Sequence, residues 1–367
     1  MAEGPLRVPK VVVWSTGGIG SIAVRAIAEN PGTDLVGVWV HSDEKAGRDA
    51  GELVGIGPIG VAATNNADEL IALNPDCVVY AAMGPERDAA AVPDYVRLLE
   101  AGINVVTTTV HRLIYPPGFE PDVWREQLEH AAAAGGASLY ASGIEPGFAA
   151  DHLVLMLATQ SKSIRHIHAA EIALYDDYPV VETMSDAMGF GRPLDYPALL
   201  SLPGTISFQW GPGLRLIAHG LGLEIDEIKE KFDRVATDRD LHVAFGTAEA
   251  GTCGALRTQA IAVIDGREVI VIEHVNRLAA DLAPEWGEGA QRPVYRIRIE
   301  GEPDISCDMT ASVVDPKASG SVMESGAGAM VSTTMRVVNA IPYVVEAKPG
   351  LLSALDLPLT LPRNVLR

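Results

Sequence analysis

Lys10-Val11-Val12-Val13-Trp14 is an unbroken apolar run, followed at once by Ser15-Thr16-Gly17-Gly18-Ile19-Gly20 and then by Ser21-Ile22-Ala23-Val24-Arg25-Ala26-Ile27-Ala28. The first run is β-branched and does not alternate, as a strand buried on both faces of a parallel sheet reads; the last has the apolar spacing of a helix. A strand that passes through a glycine turn into a helix has few uses. The turn presents backbone N–H groups and the positive end of a helix dipole, and this combination cradles phosphate. In the dinucleotide pattern G-x-G-x-x-G, Gly17 and Gly20 stand at the second and third glycines and Ser15 at the first.

Asp34-Leu35-Val36-Gly37-Val38-Trp39-Val40 reads as the second strand of the same βαβ unit. An NAD site usually ends this strand on an acid that takes the ribose hydroxyls, whereas here His41-Ser42 comes first, with Asp43, Lys45 and Arg48 behind. A hydroxyl with nearby cations suits a 2′-phosphate, so NADP(H) is the preferred cofactor. NAD(H) remains open, because Asp43 can reach a ribose and Lys45 and Arg48 can equally be solvated loop charges.

Strands and helices then alternate: Asp76–Ala82, the helix Asp94–Gly102, Asn104–Thr108, the helix Val123–Ala134, and Ala137–Ala141. This predicts an α/β fold with an N-terminal doubly wound (Rossmann) parallel sheet. Ligands bind such sheets beyond the carboxyl ends of their strands. The cofactor residues are therefore expected to be Ser15, Thr16, Gly17, Gly18, Ile19, Gly20, His41, Ser42, Lys45, Arg48, Ala82, Met83, Thr108 and Gly143, with nicotinamide near Ser142–Phe148.

After this turn the pattern changes to mixed-polarity strands, a hairpin signal at Asp265-Gly266, and a pair of strands around Gly301-Glu302-Pro303. A C-terminal α+β domain with an open, mostly antiparallel sheet is predicted, with helices inserted between Asp186 and Arg234. The expected division is 1–148 for the dinucleotide domain, 149–325 for a substrate and dimerisation domain, and 326–367 for a C-terminal helix and tail that returns to the first domain.

The chain has 367 residues, with 48 Asp and Glu against 28 Lys and Arg, a formal charge of -20. Two domains fit this length. Such acidity disfavours nucleic acid and anionic membranes as partners. The three cysteines show no metal or disulfide spacing, and no export signal or 20-residue apolar span is evident. A reducing, cytoplasmic setting without metal is expected.

The STGGIG turn, the Gly143-Ile144-Glu145-Pro146-Gly147-Phe148 turn, the α+β sheet and the tail Val338-Asn339-Ala340-Ile341-Pro342 together resemble the dihydrodipicolinate-reductase-like superfamily. More narrowly, the chain resembles the branch of 2,4-diaminopentanoate dehydrogenase and the native amine dehydrogenases. The resemblance implies an NAD(P)H-dependent homodimer acting on a small molecule with a C=N or C=O group. Arg165–Pro179 lacks the paired-histidine, Lys and Ser-Gly-Thr pattern of true dihydrodipicolinate reductases, which disfavours that reaction.

Hydride chemistry requires the protein to position substrate and to manage a proton or cation. Glu145, inside the Pro-Gly-Phe turn, can do this as a buried carboxyl; alternatively it satisfies backbone donors at a helix start. His111 can act as an acid. Glu171 and Tyr175, four apart on one strand, share a face. Tyr178, Trp210 and His219 are placed in Gly- and Pro-rich loops that could cover substrate. Three functions stay open: reduction of an imine formed from ammonia and an aldehyde or ketone, reduction of the carbonyl or another C=N directly, and nucleotide sensing without turnover.

Overall fold

The computed structural model describes residues 8–82, 87–287, 292–315, 319, 321 and 324–364. Met83 falls outside them. The chain divides into two compact units, one holding residues 1–144, 318–321 and 330–367, the other 145–317 and 322–329.

In the first unit, β1 (Lys10–Trp14), β2 (Asp34–Trp39), β3 (Ala63–Thr64), β4 (Cys77–Tyr80), β5 (Asn104–Thr107) and β6 (Ser138–Ala141) form a parallel sheet in the order β6-β5-β4-β1-β2-β3. A tail strand, Gly350–Leu352, extends it by parallel pairing with β6. The sheet is parallel because every connection from β1 to β6 carries a helix back across a face. Val11 and Val13 point into one apolar cluster, with Ile27, Val337 and Ile341, while Val12 and Trp14 point into another, with Tyr95, Leu98 and Leu128. Both faces are therefore covered, which is why β1 could be written without polar residues.

The second unit is built on a six-stranded sheet made of β7 (Ser163–Leu174), β8 (Glu227–Ala236), β11 (Cys253–Ile264), β12 (Arg267–Arg277), β13 (Val294–Glu302) and β14 (Ile305–Thr310). A two-stranded ribbon, β9 (Leu241–Val243) and β10 (Gly246–Ala248), stands apart. The six run in the order β14-β13-β7-β12-β11-β8, and only the β7–β12 pair is parallel. The β11–β12 hairpin turns at Asp265 and Gly266, with φ of 49° and 70°. Two positive φ values in succession are what a tight two-residue hairpin needs.

One face of this sheet packs Ile167, Ala169, Ile272 and Ile297 against Val154, Leu214 and Ile217 of the helices His152–Ala158 and Thr205–Leu221. Two sequence expectations fail here. Trp210 and His219 lie inside the helix Thr205–Leu221 rather than in loops, although Gly211-Pro212-Gly213 reads as a breaker. The missing side chains allow close packing: a Cβ on Gly213 would stand 2.9 Å from Ile272 Cδ1. Burial of the helix outweighs its poor propensity. Residues 227–236, within the stretch read as helical, form the edge strand β8, whose alternating half-burial gives one polar side.

Candidate active site

The glycine turn of the first unit is held by its own backbone. Ser15 donates its amide to Trp39 O at 3.0 Å and has φ of 106°, the region that favours glycine, so the first position of the pattern keeps glycine's conformation while carrying a side chain. Its hydroxyl accepts the Gly17 amide at 3.1 Å. A Cβ on Gly20 would lie 2.1 Å from Ser15 O, so the helix Gly18–Glu29 can meet β1 this closely only with glycine there. No side chain caps that helix and no acid stands in its first turn. Its N-terminal amides and dipole are left for an anion.

The loop after β2 carries the other cofactor candidates. Lys45 Nζ lies 3.2 Å from Thr16 Oγ1, back at the glycine turn. Ser42 Oγ accepts the Glu44 amide, and His41 and Arg48 are exposed, the His41 ring 6.0 Å from that of Trp39. Asp43, the acid that could have read a ribose, accepts from Asn65 Nδ2 at 2.6 Å. Farther along the sheet, Ala82 O accepts from Thr109 Oγ1 at 3.0 Å. Thr108 Oγ1, just past β5, is buried without a hydrogen-bond partner among the described residues, and Gly143 follows β6 by two residues. An uncapped helix start, a glycine no Cβ can replace and a partnerless buried hydroxyl fit a dinucleotide: residues 15–20 would hold its pyrophosphate and residues 41–48 its adenosine ribose.

The second unit holds a different constellation. In the sheet register Glu171 of β7 faces His274 of β12 on one side and Tyr295 of β13 on the other, so the three side chains form one row on the helix-covered face. Glu145 joins this row from the turn that follows β6. Its Oε1 lies 3.5 Å from His274 Nε2, and Glu171 Oε1 lies 3.7 Å from Nδ1, so two carboxylates straddle one imidazole. Trp210 closes the row from above, its ring 4.4 Å from that of His274 and tilted 35°. All three charged groups are buried, with the Glu145 side chain only 2% exposed.

Glu145 is anchored by a reciprocal arrangement. Its Oε2 accepts the Ala150 amide at 2.9 Å, while Asp151 Oδ2 accepts the Gly147 amide at 2.7 Å, so each end of the turn is tied to a carboxylate at the other. Burial pushes the Glu145 carboxyl above the usual range, with His274 working against this and the Glu171 charge adding to it. Burial disfavours the charged form of His274, but its two carboxylates outweigh burial and hold it up at about 9. The imidazole is therefore a cation at neutral pH. Tyr175 and Tyr295 both bring their phenols to Glu171; burial and the Glu171 charge raise both well above the ordinary tyrosine value, so they stay proton donors.

Of the candidates read from sequence, Glu145, Glu171 and Tyr175 come together in the second unit. His111 belongs to the first unit, where it opens a short 3-10 turn, His111–Ile114. The next residue, Arg112, is buried and pinned by Asp88 and by Glu120 O, which makes this segment a rigid corner rather than a solvated loop. Trp210 reaches the row from a helix. Tyr178 stacks edge-on against Tyr175, with ring centroids 6.1 Å apart. His274 and Tyr295 escaped sequence reasoning. One signal was available for His274: Glu273-His274-Val275-Asn276-Arg277 ends the apolar run Val269–Ile272, and polar residues in a buried strand need partners. Among the described residues no three His, Cys, Asp or Glu side chains are disposed to bind a metal, and no helix is long and apolar enough to cross a membrane.

Residues 148–365 match the family model of the 2,4-diaminopentanoate dehydrogenase C-terminal domain, and residues 9–109 match that of dihydrodipicolinate reductase, N-terminus. Over 356 residues the chain is 38% identical to an amine dehydrogenase of Streptomyces virginiae, covering 95% of this chain and 96% of that one. It is 23% identical to the 2,4-diaminopentanoate dehydrogenase of Acetoanaerobium sticklandii over 97% of this chain and 95% of that one. The fold is that of the amine dehydrogenase from Mycobacterium smegmatis, with a TM-score of 0.76 at 22% identity over 97% of this chain and 98% of that one. The chain belongs to the family of amine dehydrogenases and 2,4-diaminopentanoate dehydrogenases within the dihydrodipicolinate-reductase-like superfamily, and it is an NAD(P)-dependent oxidoreductase.

Proposed function

We propose that the chain catalyses reductive amination of a small aldehyde or ketone with ammonia, and the reverse oxidative deamination. The observation that carries this reading is the buried Glu145–His274–Glu171 row. Once Glu145 has given up a proton, the row sets two carboxylates against one imidazolium, and an iminium or ammonium ion offsets the excess negative charge. A neutral carbonyl substrate gives no reason to bury two carboxylates around one imidazole. The 38% identity to an amine dehydrogenase supports the same choice.

The balanced reaction is carbonyl plus ammonia plus NAD(P)H plus a proton, giving amine, water and NAD(P)⁺. The cofactor, when bound, supplies hydride from nicotinamide C4. Addition of ammonia to the carbonyl carbon gives a carbinolamine, whose hydroxyl leaves as water only if it receives a proton. Glu145 can hold that proton, because burial raises its carboxyl. Once the proton is given, the Glu145 carboxylate offsets the iminium charge. Glu171, tied to the Tyr175 and Tyr295 phenols, keeps His274 oriented and protonated and so fixes the charge Glu145 faces. In this reading Glu145 is the catalytic group, and Glu171, Tyr175 and Tyr295 position His274.

NADPH is the preferred donor in this reading, supported by the lack of an acid at the end of β2, by the engagement of Asp43 with Asn65, and by the hydroxyl of Ser42 and the cation of Arg48 in the loop that follows β2. A homodimer, which the family resemblance implies, and a cytoplasmic setting complete the reading. The test is NAD(P)H oxidation across a panel of small aldehydes and ketones with and without ¹⁵N-ammonium. Labelled amine is the expected product. Alcohol formed at the same rate without ammonium would make the enzyme a carbonyl reductase instead.

A further inference from the structure

Lys45 is a cation in a chain where acids outnumber bases 48 to 28, and its neighbours in sequence include Asp43 and Glu44. Among the described residues it forms no ion pair with a carboxylate; its ammonium instead reaches back 29 residues to Thr16 Oγ1, at 3.2 Å. The backbone sets that reach. Lys45 and Ala46 donate their amides to Ser42 O, Arg48 donates to Lys45 O, and Gly47 N and Ala63 N bond to Ala63 O and Arg48 O at 2.7 and 2.8 Å, which docks the loop on the edge strand β3. Asp43 is turned to Asn65. A half-buried ammonium is thus delivered to the second residue of the glycine turn while Asp43 is engaged by Asn65 and Glu44 is exposed.

Thr16 carries no charge to balance it. The turn it belongs to has an uncapped helix behind it, no acid in that helix's first turn, and a Gly20 that no side chain can replace. The Lys45 ammonium and the uncapped helix start therefore gather positive potential at one place, and Gly20 lets the helix start pack close against β1. Arg48, three residues beyond Lys45, is exposed, and its carbonyl accepts the Ala63 amide of β3.

We propose that Lys45 is a counter-ion for the cofactor's pyrophosphate, shared by NADH and NADPH, and that discrimination at the 2′-position falls to Ser42 and Arg48. The charge of the whole molecule makes such a counter-ion useful. A net charge of -20 repels a dinucleotide at long range, but salt screens that field within about 8 Å, so a cation at contact distance decides binding. The assignment is independent of whether ammonia is the second substrate.

The experiment is a binding titration, followed by nicotinamide and tryptophan fluorescence for the reduced cofactors and by calorimetry for ADP-ribose and adenosine 2′-monophosphate. Wild type, Lys45→Met, Lys45→Arg and Arg48→Met are compared at fixed salt. Lys45→Met is expected to weaken NADH, NADPH and ADP-ribose by the same factor, about tenfold, and to leave adenosine 2′-monophosphate unchanged. Lys45→Arg recovers most of the loss, and Arg48→Met weakens NADPH about tenfold more than NADH. If Lys45→Met costs NADPH far more than NADH, Lys45 reads the 2′-phosphate and the proposal falls. If it costs neither, at an unchanged melting temperature, Lys45 is a solvated cation and the proposal falls equally.

Discussion

The glycine turn and the carboxylate row make different demands on the chain. Residues 15–20 are consecutive, and most of what they offer a ligand is backbone: amides, a helix end, and the space left by Gly20. The row draws Glu145, Glu171, His274 and Tyr295 from a turn and three strands, and it exists only because β7 pairs with β12 and β13 in one register. A slip of one residue in either pairing would turn His274 or Tyr295 to the opposite face. A backbone cradle can thus be encoded locally, while a side-chain row depends on residues that only the folded sheet brings together.

The row is broken most severely at Glu145. Replacing it with Gln keeps shape and the Ala150 hydrogen bond but removes the proton and the charge. We expect kcat for ammonium-dependent turnover to fall by about 10²–10⁴ with NADPH affinity unchanged. Full activity in Glu145→Gln would move the acid-base role elsewhere and leave the row a structural one.

His274 offers the next largest effect, read as stability against pH. Its folded pKa, about 9, lies above the ordinary 6.5, so its contribution is complete below about pH 6.5 and is lost as pH rises through 9. Glu145 is also raised in the folded state, so it shifts stability in the same direction, with loss beginning above pH 4.5. Urea unfolding from pH 6 to 9.5 should show the wild type losing up to about 3 kcal/mol more than His274→Gln across this range. Parallel curves for the two proteins would mean that His274 is neutral in the fold and that the two carboxylates do not hold it charged.

Legibility in sequence follows the same division. β1, β4, β5 and β6 could be read because strands buried on both faces are written as apolar runs, and the helices between them because their spacing and glycine stops are local. The helix Thr205–Leu221 could not, since Gly-Pro-Gly breaks a helix in water, and here it is tolerated because the helix is buried, with Ile272 packed into the space that Gly213 leaves. At the site, Glu171 and Tyr175 were visible through their four-residue spacing on a strand, and Glu145 through its turn. His274 stayed hidden because its partner lies 103 residues earlier, across a parallel pairing that no hairpin dictates. His111 was visible as a histidine just past a strand end, whereas the buried Arg112 beside it, held by Asp88 and the Glu120 carbonyl, carried no local signal of its partners.

The smallest effect tests the glycine turn. Ser15 holds φ at 106° with a Cβ, while its hydroxyl takes the Gly17 amide. At an ordinary position Ala is more stable than Gly by about 0.5–1 kcal/mol, because glycine loses more backbone freedom on folding. At this φ a Cβ costs about 1–2 kcal/mol, so the order should invert. Ser15→Ala and Ser15→Gly both lose the hydroxyl, and comparing them removes that bond from the difference. Thermal unfolding of the cofactor-free protein should place the Gly variant above the Ala variant by about 0.5–1 kcal/mol, with NADPH bound at least as well by the Gly variant. If Ala is the more stable of the two, Ser15 is not strained, and the turn owes its shape to Gly17 and Gly20 alone.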